Sequence, residues 1–171
     1  MKDKSNNTFQ IRPFHPKDVY EYMALTKYID AETDFLGSSP NDPRPSNMQI
    51  IQAHKTGRQI IYLATNKAGL IGHIGAFRRR GHGSRVKHCI NVGLGVARDF
   101  WGLGIGTALM EAVELHVKPL GIKRMELEVM THNEGAIALY KKMGFVIEGT
   151  KQKSILIGDQ WIDEHLMAKL L

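Results

Sequence analysis

The segment Val96-Ala97-Arg98-Asp99-Phe100-Trp101-Gly102-Leu103-Gly104-Ile105-Gly106-Thr107 runs from a β-rich stretch through alternating glycines into an amphipathic helix. Such a segment can cradle a pyrophosphate. Glycine has no Cβ, so a ligand can approach the main chain closely, and the unpaired N–H groups and positive dipole end of the following helix favour a bound anion. Two other phosphate loops fit poorly. A Walker loop ends in Gly-Lys-Ser/Thr, whereas Gly106 is followed by Thr107 and Ala108, with no lysine to reach a terminal phosphate. The dinucleotide fingerprint needs Gly-x-Gly-x-x-Gly, but the spacing here is Gly102-x-Gly104-x-Gly106, and Gly93-Leu94-Gly95 is followed by Arg98 where the third glycine belongs. A second constellation lies downstream. Tyr140 follows Asn133 by close to two helical turns, so both side chains project from one helix face and can address one ligand.

The elements that must hold these residues can be read from periodicity. Phe9 to Arg12 alternates like a first strand, and Pro16 opens a helix whose Val19, Tyr22, Met23, Thr26 and Ile29 recur at helical spacing. Breakers crowd Gly37 to Pro45, which reads as a mobile loop, and Ser46 caps a second helix through Ile51 to His54. Gln59 to Thr65 and Leu70 to Arg79 form a hairpin around Asn66-Lys67-Ala68-Gly69. A further strand runs from Val86 to Val96, with Gly93 and Gly95 marking a bulge or a closely approaching ligand. The helix behind the glycine loop stops at Pro119 and Gly121. Met125 to Val129 is a strand, Asn133 caps a helix to Met143, and two closing strands meet at Gly158-Asp159.

Composition narrows the class. A chain of 171 residues, 43% hydrophobic, suits one ordinary domain, read here as residues 9–171 behind a flexible N-terminus of residues 1–8. Neither a signal-peptide core nor a long apolar span is present, so a cytoplasmic protein without membrane contact is expected. The single cysteine, Cys89, excludes an intramolecular disulfide, and no His-Glu-x-x-His pair occurs, so no metal is expected. The net charge of +6 favours an anionic partner. Its densest cluster, Arg78-Arg79-Arg80 with Arg85 and Lys87, flanks a Gly81-His82-Gly83-Ser84 hairpin tip without an aromatic residue to stack on bases, which argues against nucleic acid.

In element order and in two motifs the chain resembles the GCN5-related N-acetyltransferases. Trp101-Gly102-Leu103-Gly104-Ile105-Gly106 sits where that family carries Gln/Arg-x-x-Gly-x-Gly/Ala, departing at the first position, where a guanidinium contact to phosphate would be lost. Asn133-Glu134-Gly135-Ala136-Ile137-Ala138-Leu139-Tyr140-Lys141-Lys142-Met143-Gly144-Phe145 matches a second block. The resemblance implies an α/β fold with a mixed, mostly antiparallel sheet of about seven strands, about four flanking helices and splayed central strands. It further implies acetyl-CoA as co-substrate and direct transfer of acetyl to the primary amine of a small molecule or a protein N-terminus. A binding module without turnover, or a transferase of another acyl group, is the alternative.

The resemblance assigns roles residue by residue. The strand through Leu94, Gly95 and Val96 would receive the pantetheine arm as an added strand, and a backbone N–H near Val96 would polarise the thioester carbonyl. Trp101, Gly102, Leu103, Gly104, Ile105, Gly106 and Thr107 would hold the pyrophosphate, and Asn133 would lie near the pantetheine. Tyr140 would protonate the departing thiolate, although read alone it is a core aromatic. Glu128 matches the glutamate that acts as base in some N-terminal acetyltransferases of this family. The acceptor would enter beside Glu32, Asp34 and Phe35, with His88 facing the site from the neighbouring strand; a homodimer is the default assembly of a small enzyme.

Overall fold

Apolar periodicity becomes a single layered sheet in the computed structural model of the protein, which describes residues 8–78 and 84–171. The elements are β1 (Gln10–Pro13), α1 (Val19–Glu32), α2 (Asn47–Lys55), β2 (Gln59–Asn66), β3 (Gly69–Arg78), β4 (Cys89–Val96), α3 (Ile105–Val117), β5 (Arg124–Met130), α4 (Glu134–Lys142), β6 (Val146–Ile157) and β7 (Gln160–Leu170). Among the described residues these strands form one seven-stranded sheet in the order β1-β2-β3-β4-β5-β7-β6, with β4/β5 parallel and the other pairs antiparallel. No helix among the described residues is long and apolar enough to cross a membrane.

Local chemistry explains the boundaries. Ser46 accepts the Gln49 N–H while the Gln49 side chain accepts the Ser46 N–H, a capping box that starts α2. Arg12 grips Asp18 through two bonds of 2.6 and 2.9 Å, fixing β1 to the turn that leads into α1. Gly144, at φ 89°, follows the end of α4 in the left-handed conformation that favours glycine.

One face of the sheet buries Ile74, Ile90, Val92, Met125 and Leu127 against Ile105, Leu109, Met110 and Val113 of α3. The other face packs Ile61 and Leu63 against Val19 and Tyr22 of α1 and Ile50 of α2. The expected strand from Val86 begins instead at Cys89, because Ser84–Val86 close a 3₁₀ turn. Of the expected hairpin tip Gly81-His82-Gly83-Ser84, the first three residues lie outside the described residues.

Candidate active site

The parallel ladder between β4 and β5 holds for three pairs, Cys89↔Arg124, Ile90↔Met125 and Asn91↔Glu126, and then stops. Beyond Asn91 the two strands part, and a groove of about 790 Å³ opens in the wedge. On the β4 side, the Ala97 N–H donates to the Ile71 carbonyl of β3 at 3.0 Å. Ladder alternation therefore turns the main-chain groups of Leu94 and Val96 the other way, into the wedge. Here the first-position tryptophan acts through its side chain: the Trp101 indole N–H donates to the Val96 carbonyl at 2.6 Å. The Val96 carbonyl is thus occupied, and its N–H is the group that faces the groove.

The glycines divide their labour. Gly102 and Gly104 have φ of 76° and 83°, and a Cβ on either would meet nothing within 4 Å, so they shape an open loop for backbone reasons. A Cβ on Gly106 would stand 2.8 Å from Leu139 Cδ2, so this glycine lets α3 and α4 pack closely. In β4, a Cβ on Gly93 would enter open space, whereas one on Gly95 would lie 2.9 Å from His73 Nε2. At the end of this loop the first-turn N–H groups of α3, on Ile105, Gly106 and Thr107, lack intrahelical partners by construction.

The far wall comes from β5, α4 and β7. Asn133 caps α4, its Oδ1 accepting the Ala136 N–H at 3.2 Å, which leaves the side-chain amide nitrogen for other partners. Tyr140 lines the groove from a buried position, and burial pushes its hydroxyl up to about 12. Glu128 lines it too, and the Lys151 ammonium sits 2.6 Å from its Oε2. Phe35 spans the mouth, its ring centroid 6.4 Å from that of Trp101 and 5.3 Å from that of His132. The Arg98 guanidinium stands 5.6 Å over the Trp101 ring, so a cation remains beside the glycine loop.

Leu94, Gly95 and Val96, then Trp101, Gly102, Gly104, Ile105, Gly106 and Thr107, and across from them Glu128, Asn133 and Tyr140, all line this one groove, as does Phe35. Four expected residues stand outside it. Leu103 points outward from the loop and is exposed. Glu32 is engaged elsewhere: its carboxylate accepts the Arg98 N–H at 3.0 Å and its carbonyl accepts the Arg98 guanidinium, tying the end of α1 to the turn after β4. Asp34 is exposed beyond the lining residues. His88 is not among the residues that line the groove; it precedes β4, and its carbonyl accepts the Lys123 and Arg124 N–H groups at the closed end of the wedge. Conversely, Glu164 and His132 line the groove without having been singled out by their sequence. Glu164 is invisible there because only the insertion of β7 beside β5, pairing it with Met130, brings it to the wall.

Known proteins share this fold. The sequence profile of the acetyltransferase (GNAT) family matches residues 24–145. The L-amino acid N-acetyltransferase AaaT of Escherichia coli is 37% identical over 87 residues, which are 50% of this chain and 54% of that protein; the chain thus matches about half the length of this relative. A mycothiol acetyltransferase of Propionibacterium freudenreichii is 40% identical over 57 residues, 33% of this chain and 18% of that protein. The crystal structure of an acetyltransferase of the GNAT family from Streptococcus pneumoniae superimposes with a TM-score of 0.88 at 28% identity, covering 96% of this chain and all of that one. The yncA putative acetyltransferase of Salmonella typhimurium, solved with its cofactor acetyl-CoA, has the same fold, with a TM-score of 0.83 at 14% identity over 96% of this chain and 94% of that one. The profile match covers the splayed strands, the glycine loop and Tyr140 in one continuous span, and the chain belongs to the acetyltransferase (GNAT) family.

Proposed function

We propose that the protein transfers the acetyl group of acetyl-CoA directly to a primary amine, borne by a small molecule or a protein N-terminus. The observation that carries this reading is the unpaired main-chain edge of β4, which leads from the wedge toward the open N-terminus of α3. The cofactor fits these residues. Its pyrophosphate matches the first-turn N–H groups of α3, and its amide-bearing arm matches an edge with no Cβ at Gly93 to block approach. The solved relative with acetyl-CoA supports the same choice.

Bound acetyl-CoA supplies an activated thioester. Ile105, Gly106 and Thr107 hold phosphate oxygens, and the Val96 N–H donates to the acyl oxygen, where negative charge grows during transfer. Glu128 accepts the proton that the acceptor ammonium must lose. Tyr140, protonated at neutral pH as phenols are and raised further by burial, gives its proton to the departing thiolate and regains one from the attacking nitrogen.

The thermal midpoint of the protein, measured with acetyl-CoA, CoA, NAD and ATP in turn, tests the reading. A ligand at a hundredfold its Kd stabilises by about 2.7 kcal/mol, which for a domain of this size raises the midpoint by about 5–10 °C. That shift is expected with acetyl-CoA and CoA alone, followed by thiol release with a suitable amine. No CoA shift, or one confined to NAD or ATP, removes the reading; a CoA shift without thiol release from any amine makes the protein a binding module.

A further inference from the structure

Glu128, which lines the groove, is ion-paired with Lys151 of β6, and the transfer itself leaves that pair unexplained. Glu164 on β7 is the register partner of both Met130 on β5 and Lys151 on β6, and Glu128 precedes Met130 by two residues. Glu128, Glu164 and Lys151 therefore stand on one face of three adjacent strands. Lys151 lies directly opposite Glu164, yet its ammonium reaches past it to Glu128 at 2.6 Å. The strand is shaped at this point: the β6/β7 register shifts between Lys151 and Ile155, Lys153 has φ 53°, and its N–H is held by Asp163 Oδ1 at 2.7 Å. Bulges of this kind re-aim the neighbouring side chain. On the same face of β5, Arg124 is held by Glu126 and Glu148.

We propose that Lys151, Glu128 and Glu164 recognise a free α-amino acid, the ammonium of the acceptor taking the two carboxylates and its carboxylate taking Lys151. This rests on the acetyltransferase reading and names its acceptor class. Both partners of the pair are about 40% exposed, and ion pairs in such settings are weakly held, so a ligand opens this one at small expense. An α-amino acid holds its two charges side by side on one carbon and replaces each partner with a like group. A simple amine, a polyamine or an N-terminal peptide brings an ammonium without an adjacent carboxylate, and meets the positive charge of Lys151 in front of Glu128.

The test compares kcat/KM for the common L-α-amino acids, each beside its primary amide, in wild type, Lys151→Met and Lys151→Arg. Wild type is expected to prefer at least one free acid over its amide by on the order of tenfold to a hundredfold, the discrimination one charge-assisted contact provides. Lys151→Met should lose that preference, chiefly through a higher KM for the acid, while the acetyl-CoA midpoint shift stays near wild type; Lys151→Arg should retain it. Thiol release from amides or simple amines without a preference for any free acid overturns this inference alone. So does a Lys151→Met variant that lowers acid and amide equally. Absence of any acetyl-CoA shift overturns the inference together with the acetyltransferase reading.

Discussion

The Tyr140 hydroxyl is protonated throughout the neutral range, as an ordinary phenol already is, and desolvation of the phenolate raises it further to about 12. Tyr140→Phe keeps the ring and its packing on Phe145, 6.0 Å away between centroids, and removes only the donor. Turnover is expected to fall about a hundredfold with the acetyl-CoA midpoint shift preserved, and a rate within about twofold of wild type would exclude the acid role. The residue type and its spacing from Asn133 were legible in the sequence because both lie on one short helix. The motif places Trp101 in the pyrophosphate loop, but its indole N–H closes on the Val96 carbonyl. Sequence spacing gives no hint of that bond, since it depends on how the turn between them folds back.

Strand β4 separates two kinds of glycine that look alike in a sequence. Gly93→Ala places a methyl group in open groove space, so stability should stay within about 0.5 kcal/mol of wild type while acetyl-CoA affinity falls, as titration calorimetry would register. Gly95→Ala drives a methyl group to within 2.9 Å of His73 Nε2 and 3.3 Å of Ile29 Cδ1, both in packed surroundings. A loss of about 1–3 kcal/mol in denaturant unfolding is expected, and pairing it with His73→Ala should recover part of that loss. In the glycine loop, Gly104→Ala imposes φ 83° on a residue with a Cβ, and a loss of about 1–2 kcal/mol follows without any new contact. The loop itself was legible because φ preferences and helix starts are local. That Gly106 serves helix packing was not, because Leu139 reaches it from an element more than thirty residues on.

At the scale of the whole molecule, part of the acid sensitivity should trace to the His73 ring. His73 packs edge-on to Tyr22 at 5.3 Å, its Nδ1 has no hydrogen-bond partner, and burial holds its imidazole down to about 4. An unfolded histidine titrates at about 6.5, so between these values the unfolded chain takes up a proton that the folded one refuses. Stability is therefore expected to fall as pH drops from about 6.5 to about 4, by about 3 kcal/mol in full, and to be unaffected by this group above that window. His73→Leu should flatten the slope of thermal midpoint against pH in that interval; an unchanged slope would assign the loss to other groups. The loop from Gly37 to Pro45, which reads as mobile from its prolines and glycine, is anchored near its far end, where Arg44 pairs with Asp30 and bonds Thr26 Oγ1 at 3.2 Å. The sequence by itself determined the order of elements, the glycine loop ahead of α3 and the tyrosine of α4, because apolar period, capping and φ preference act over a few residues. The tertiary structure decided which side chains share a wall: it released Glu32, Asp34 and His88 from the groove, added Glu164 and His132, and set Lys151 against Glu128, because strand insertion, register and the parting of β4 from β5 depend on contacts between residues far apart in the chain.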